Sequence, residues 1–180
     1  MSTPDRLAAL LFALAVLGGA VSSAEQVRYG LGKKISERDL AAWDIDVRPD
    51  GAGLPPGTGS AAQGREIFLA KCSACHGENG EGTPMDRLVG GQGTLATDKP
   101  VKTVGSYWPY ATTLFDYVRR TMPFTNPQSL DNDEVYALTA YLLSLNGIVP
   151  GDAVMDAKAL PKVEMPNRKN FVPDPRPDAK

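Results

Sequence analysis

The residues with the clearest chemical potential stand together at Cys72-Ser73-Ala74-Cys75-His76. The chain contains two cysteines and one histidine, and all of them lie in this pentapeptide. On a helical turn, two thiols at this spacing can reach both vinyl groups of one haem, and the adjacent imidazole then lies under the iron. The motif therefore predicts one covalent haem c, attached through Cys72 and Cys75, with His76 as an axial ligand.

Three other sites use the same residue types. An oxidising compartment would permit a disulfide, and a dithiol redox centre has the same cysteine spacing. Neither explains the histidine that directly follows Cys75, and a redox dithiol is expected in an α/β pattern that this sequence lacks. A zinc ion takes four ligands, whereas Cys72, Cys75 and His76 exhaust the cysteines and histidines. Haem attachment accounts for all three residues.

The other axial position of the iron needs a second ligand or stays open. No second histidine exists, so a methionine, a weaker ligand or an open site remain. We predict Met122 as the ligand, because Pro123 blocks continuation of the helix and fixes the local turn; core packing is the alternative role. Met85 lies too close to the motif in sequence, and Met155 and Met165 lie in the Pro-rich tail. A thioether ligand raises the potential and favours electron transfer.

Further residues are predicted near the haem on weaker signals. Pro84 has a carbonyl and no competing N–H, so it could accept a hydrogen bond from the imidazole of His76. Trp108 and Tyr107 could line the pocket or bind haem propionates, and Arg119 could pair with a propionate. Core packing of the two rings and a solvated position for the arginine are the alternatives.

Helices are predicted on both sides of the motif. One covers about 61–71 and runs into the first cysteine. A second starts near Thr112 or Thr113 and covers Leu114 to Thr121. A third starts at a capping-box pair, Asp131 and Glu134, and ends before Asn146-Gly147. No alternating strand pattern occurs in this part of the chain, so the predicted fold class is all-α.

The N-terminus resembles an export signal. An apolar run from Leu7 to Val21 is shorter than the roughly 20 residues of a membrane-spanning helix, and small residues precede a cleavage point near Ala24. A retained anchor is the alternative. Cleavage of residues 1–24 would place the mature protein in the periplasm.

Three parts follow the predicted signal. Residues 25–59 form an N-terminal arm with one short helix capped by Ser36, residues 60–149 form the haem domain, and residues 150–180 form a Pro-rich tail that cannot build a core of its own. The sequence leaves open whether this tail wraps the domain. A net charge of −2 gives no support for nucleic-acid binding.

Class I cytochrome c is the family that the central part resembles. The residues that carry the resemblance are Gly64, Phe68, Cys72-x-x-Cys75-His76, Met122-Pro123, Tyr136 and Tyr141. The resemblance implies that the first helix crosses the last at a glycine–aromatic contact, with Gly64 and Phe68 facing Ala137, Ala140 and Tyr141. It also assigns the axial roles to the histidine of the motif and to the methionine before Pro123.

A second resemblance covers about Tyr29 to Phe171, and it is to the cytochrome subunits of sulfane dehydrogenase, in the Sox thiosulfate-oxidising system, and of periplasmic sulfite dehydrogenases. The motifs are Trp43-Asp44-Ile45-Asp46-Val47, Leu54-Pro55-Pro56-Gly57, and Gly105-Ser106-Tyr107-Trp108-Pro109-Tyr110 with Asp116-Tyr117. In those systems a molybdenum-cofactor subunit oxidises the sulfur compound and passes electrons to the haem. The sulfane dehydrogenase subunit has a second haem domain, whereas one Cys-x-x-Cys-His occurs here.

The resemblance implies a one-haem acceptor for a related molybdenum enzyme, which passes electrons to a downstream cytochrome or oxidase. Two other functions stay open. A diffusible carrier serving several donors would need only the haem domain. A haem sensor or catalyst would need an open sixth position on the iron.

Overall fold

The computed structural model describes residues 29–173 and 175–176. The chain divides into two units, residues 1–40 and 41–180. Helix α1 (Glu37–Ala41) begins as predicted after Ser36, whose Oγ accepts a hydrogen bond from the backbone N–H of Asp39 at 3.2 Å. The predicted signal peptide lies outside the described residues. Within them, no helix is long and apolar enough to cross a membrane.

Helices dominate the second unit, so the predicted fold class is confirmed. Its elements are β1 (Thr58–Ser60), α2 (Ala61–Lys71), α3 (Ser73–His76), α4 (Ala111–Thr121), α5 (Asn132–Leu145), β2 (Val154–Asp156) and 3-10 turns at Leu160–Lys162 and Arg168–Asn170. The three long helices agree with the predicted ranges. The capping box of α5 is also confirmed, because Asp131 Oδ1 accepts from the Glu134 N–H at 2.8 Å and Glu134 Oε2 accepts from the Asp131 N–H at 3.2 Å.

Helices α2 and α5 cross at Gly64, as the resemblance implied. A Cβ added at Gly64 would overlap the backbone carbonyl oxygen of Ala137 and lie 2.7 Å from the Cβ of Tyr141. Phe68, one turn further along α2, packs its ring on Tyr141 with 5.4 Å between the centroids. The absence of a side chain at Gly64 therefore permits the close approach, and the aromatic pair fills the space beside it. This crossing fixes the helix that leads into the cysteine motif.

Helix α4 also packs on α5. Phe115 and Tyr136 are both fully buried, and their ring centroids lie 4.5 Å apart. Leu114 and Val118 on the same helix are buried in the core that α5 shares. The position of Met122, directly after α4, is thereby set by packing against the closing helix.

Residues 45–58 lie along α4 and α5, and we call them the clamp segment. The backbone N–H of Val47 donates to the buried carboxylate of Asp116 at 3.1 Å. The Tyr136 hydroxyl donates to the Pro55 carbonyl at 2.8 Å, and the Thr58 N–H donates to Asp133 at 2.7 Å. Polar groups on both helices therefore hold a segment that has little regular structure of its own.

The first part of the Pro-rich tail packs against the domain, which settles what the sequence left open. Met155, Leu160 and Met165 are buried in the core, and Asn167 donates from Nδ2 to the carbonyl of Tyr107 at 2.7 Å. Apolar side chains between the prolines thus join a core supplied by the helices.

A two-stranded antiparallel sheet was not predicted. Strands β1 and β2 pair Gly59 with Met155. A Cβ at Gly59 would lie 2.6 Å from the Cα of Ala137, so β1 passes directly against α5. Each strand has three residues, which is too short for an alternating pattern in the sequence.

Candidate haem-binding site

Cys72, Cys75 and His76 lie on one continuous helical path. Cys72 ends α2, with its N–H donating to the Phe68 carbonyl at 2.9 Å, and α3 adds one turn. The N–H groups of Cys75 and His76 both donate to the Cys72 carbonyl, at 3.1 and 3.0 Å. Ser73 reinforces the junction, because its hydroxyl donates to the Leu69 carbonyl at 2.7 Å. Hydrogen bonds within the protein therefore fix the conformation of the motif.

The His76 ring has a defined orientation. Its Nδ1 lies 2.8 Å from the backbone carbonyl oxygen of Asp86. A carbonyl can only accept, so Nδ1 carries a proton and donates it, and in the neutral ring Nε2 is the nitrogen with the lone pair. This arrangement suits a metal ligand, because a metal-bound histidine generally donates its other N–H to an acceptor of this kind. The predicted acceptor, Pro84, was wrong: the carbonyl belongs to the residue two positions further along.

The loop that brings Asp86 to the imidazole is tied back to the motif. The N–H of Gly82 donates to the His76 carbonyl, and that of Met85 donates to the Cys75 carbonyl, both at 2.8 Å. Gly82 has φ +85°, and a Cβ there would lie 2.6 Å from the backbone N of Arg87. Glycine is required at this turn because of both the conformation and the lack of space. Pro84 shapes the same loop without accepting from the imidazole.

Met122 lies at the end of α4. Its N–H donates to the Val118 carbonyl at 3.1 Å, its backbone is extended, and the bond to Pro123 is cis. The side chain is half-buried against the core. By contrast, Met155 and Met165 are buried in the core, with 5% and 3% of their surface exposed. Met85 is 54% exposed and faces solvent. Met122 is thus neither fully packed nor fully solvated, as a ligand at the edge of a pocket would be.

The two aromatic residues predicted for the pocket differ in their surroundings. Trp108 is half-buried and packs edge-on against Tyr117 of α4, with 5.5 Å between centroids. Tyr107 is more exposed, and its ring lies 5.5 Å from that of Phe171 and 5.0 Å from the ammonium of Lys102. Trp108 therefore contacts the helix that leads to Met122, whereas Tyr107 contacts the tail.

Arg119 is directed toward the clamp segment. Its Nη1 donates to the carbonyl of Ile45 at 3.4 Å. The neighbouring Arg120 pairs with Asp116 at 2.6 Å and with Asp46 at 3.1 Å. Both guanidinium groups thus help to hold the clamp segment on α4, and the pairing of Arg119 with a haem propionate stays a prediction.

Cys72 does not have the lowered pKa that is expected of a redox-active thiol. Burial raises the pKa of the Cys72 thiol to about 11; the charge of Lys71 opposes the rise, and Cys75 adds to it. A redox-active pair needs a thiolate whose pKa is lowered. The two cysteines are also not joined to each other. Among the described residues, no group of three or more His, Cys, Asp or Glu side chains is placed to hold a metal ion such as zinc.

The donor set fits a covalent haem. Two unpaired thiols lie one helical turn apart, and the adjacent imidazole uses Nδ1 rather than Nε2 for its hydrogen bond to Asp86. Leu88, Trp108 and Met122, three of the residues that pack against the core, are also only partly buried. Such half-covered apolar side chains are what a flat apolar group would cover.

A family model for cytochrome c matches residues 61–146, which include the cysteine motif and Met122. One chain in the crystal structure of the sulfane dehydrogenase SoxCD from Paracoccus pantotrophus is 44% identical, with a TM-score of 0.79. The match covers 85% of this chain and 76% of that chain. This chain belongs to the cytochrome c family. The class I fold is thereby confirmed, and membership implies a covalently bound haem c.

Two curated relatives of this cytochrome are more distant. The cbb3-type cytochrome c oxidase subunit FixP of Azorhizobium caulinodans is 31% identical over 119 residues, and the thiosulfate dehydrogenase of Psychrobacter arcticus is 30% identical over 106 residues. These matches cover 64% and 55% of this chain. The cytochrome spans 38% and 31% of the length of the two relatives, so the likeness is to one part of each.

Sequence reasoning missed the Asp86 carbonyl. A backbone acceptor has no residue signature, and its position depends on three turns at Gly77, Gly80 and Gly82, all with positive φ. Glycines favour turns, but they do not show which carbonyl faces the ring.

Proposed function

We propose that this cytochrome holds a single haem through Cys72, Cys75 and His76, with Met122 as the second axial ligand, and that it carries one electron at a time. When bound, the haem iron supplies the one-electron redox change. The chain attaches the porphyrin through its thiols and directs the His76 Nε2 toward the iron through the Asp86 hydrogen bond. A thioether from Met122 favours the ferrous state and closes the sixth position to substrates.

The electron donor that we propose is a molybdenum-cofactor subunit that oxidises sulfite or a sulfane sulfur compound. The supporting observation is the extent of the likeness to the SoxCD chain. It covers 85% of this cytochrome, whereas the cytochrome c family model covers residues 61–146. A diffusible carrier would need only the haem domain. The likeness therefore extends beyond the haem domain, and the arm is the part that we expect a dedicated complex to use. A downstream cytochrome or oxidase would then accept the electron.

The arm offers a surface for that donor. Five large apolar side chains between residues 29 and 43 are exposed: Tyr29, Leu31, Ile35, Leu40 and Trp43. Leu31 is 89% exposed and Trp43 is 80% exposed. Exposed apolar side chains concentrated in a short segment are typical of protein-binding surfaces. We propose that this arm contacts the molybdenum subunit.

Co-purification and rapid mixing test the partnership. Tagged cytochrome isolated from its native host is expected to bring down a molybdenum-containing subunit, and that subunit with its sulfur substrate should reduce the haem in a single turnover. Leu31→Ser in the arm should weaken the association. Val172→Ser is the matched control, because Val172 is 84% exposed and lies outside the arm. Recovery without molybdenum, with no reduction by a sulfite-type dehydrogenase, would indicate a diffusible carrier.

Export through residues 1–24, with cleavage near Ala24, completes the proposal. The mass of the mature haem-loaded protein tests it directly. A mass that includes residues 1–24 would indicate a retained anchor. A visible spectrum of the same sample counts the haems and shows whether the iron is six-coordinate in both oxidation states.

A further inference from the structure

Asn146, the C-cap residue directly after α5, has a buried side-chain amide with three protein partners. Its Oδ1 accepts from the Gly90 N–H at 3.0 Å, and its Nδ2 donates to the carbonyls of Leu88 at 3.2 Å and Leu142 at 2.9 Å. These partners fix the orientation of the amide, because an N–H can only donate and a carbonyl can only accept. One side chain therefore joins the last turn of α5 to a loop more than fifty residues earlier in the chain.

That loop also carries the acceptor of the His76 imidazole. Asp86, whose carbonyl faces Nδ1, lies two residues before Leu88 and four before Gly90. The Leu88 N–H donates to the Gly80 carbonyl at 2.8 Å, which closes the loop on itself. The Asp86 carbonyl is thus held between the cysteine motif on one side and the Asn146 amide on the other.

The surroundings of Asn146 are shaped for an amide. A Cβ at Gly105 would overlap Asn146 Oδ1 and lie 2.6 Å from its Cγ, so glycine is needed for the amide to fit. Gln92 donates from Nε2 to the Asn146 carbonyl at 3.1 Å, and Thr103 donates from Oγ1 to the Gly90 carbonyl at 2.5 Å. Both the N–H and the carbonyl of Gly90 therefore hold the loop in place.

We propose that Asn146 is a positioning residue that sets the His76 Nδ1–H···O hydrogen bond and thereby the reduction potential. This inference rests on the proposed function, in which His76 binds the haem iron. An acceptor at Nδ1 raises the basicity of a metal-bound imidazole, and outer-sphere hydrogen bonds tune the potential of haem. Without the Asn146 amide, the hydrogen bond between His76 Nδ1 and the Asp86 carbonyl becomes looser. The imidazole is then a weaker donor to ferric iron, and the reduction potential rises.

Asn146→Leu in the haem-loaded protein tests this inference with two measurements. Spectroelectrochemistry should show a higher midpoint potential than the wild type. Proton exchange at His76 Nδ1, followed by NMR in the ferrous state, should be about tenfold faster, because the loop loses two hydrogen bonds to the amide. Gly105→Ala is a second variant, since it displaces the same amide without removing it.

Tyr136→Phe is the matched control. Tyr136 lies on the same helix, is fully buried and loses one hydrogen bond, but its partner is the Pro55 carbonyl in the clamp segment. The midpoint potential and the His76 exchange rate of this variant should equal those of the wild type.

If the Asn146 and Gly105 variants bind haem and match this control in both measurements, the inference is wrong and Asn146 only stabilises the fold. If Asn146→Leu does not fold, Gly105→Ala decides. A wild-type spectrum without a histidine-ligated haem would overturn the proposed function as well, and that outcome is visible before any variant is made.

Discussion

Replacement of Gly64 by alanine tests the helix crossing that positions the haem motif. In an open helix this change stabilises by about 1 kcal/mol. Here the new Cβ would overlap the carbonyl oxygen of Ala137 and lie 2.7 Å from the Cβ of Tyr141. The overlapped atom belongs to the backbone of α5, so it can move only if the two helices separate. Steric overlap should therefore outweigh the gain in helix propensity.

The expected magnitude follows from three contributions. Overpacking of a filled core costs about 1–3 kcal/mol, and separation of the helices loosens the Phe68–Tyr141 pair, worth about 0.5–1.5 kcal/mol beyond its buried area. After subtraction of the propensity gain of about 1 kcal/mol, the range is about 0.5–3.5 kcal/mol, and we expect a loss of about 2 kcal/mol.

Guanidinium unfolding of the oxidised haem-loaded protein, followed by far-UV circular dichroism, measures this loss. Gly151→Ala is the matched control, because no atom lies within 4 Å of its added Cβ and its φ is not positive. The control should change the free energy of unfolding by less than about 0.5 kcal/mol. A Gly64→Ala protein as stable as the wild type would refute the close crossing.

Three further predictions concern the second ligand, alkaline stability and the clamp segment. Met122→Ala should lower the midpoint potential and abolish the thioether-to-iron absorption band, because the sixth ligand is lost; Met85→Ala is the control, and an unchanged Met122→Ala spectrum would place the ligand elsewhere. Tyr136→Phe should lose about 1 kcal/mol with its buried hydrogen bond and should also flatten the alkaline fall in stability. Burial raises the pKa of Tyr136 from 10.0 to about 12; a nearby carboxylate adds to the rise and a guanidinium opposes it. Because the unfolded chain ionises first, the free energy of unfolding falls as pH rises through that interval. Denaturant unfolding at several pH values checks this, and an equally steep fall in the variant would contradict it. Asp116→Ala should cost about 2 kcal/mol, because it leaves the partly buried N–H of Val47 without its acceptor and removes the ion pair between Asp116 and Arg120. It should also speed cleavage by endoproteinase Asp-N before Asp50; unchanged cleavage would show that the clamp segment is held by other contacts.

Local patterns in the sequence were sufficient for the cysteine motif, the helices and the α5 capping box, because each depends on residues a few positions apart. The all-α class followed from the same periodicity, whereas the Gly64 crossing was implied by the family resemblance. The role of Asn146 could not be predicted in this way. Before Gly147 it indicated the end of a helix, while its side-chain partners Leu88 and Gly90 are 58 and 56 residues away.

The tail shows why composition alone was insufficient. Its prolines indicated a segment without a core of its own, which remains true. Met155, Leu160 and Met165 are nevertheless buried, because the helices supply the apolar surface that these side chains cover. An isolated segment cannot reveal whether another part of the chain offers such a surface.

Helix α5 is the common support for both predicted axial ligands, although it contributes neither. On one side, the Asn146 amide holds the loop whose Asp86 carbonyl orients His76. On the other side, Tyr136 packs on Phe115 of α4, the helix that ends at Met122. An electron carrier benefits when both ligands are held by a rigid element, because little then has to move when the iron changes charge. The two ends of α5 also separate the effects experimentally: a change at Asn146 should reach the potential through His76, whereas Tyr136→Phe should alter stability and leave the potential unchanged.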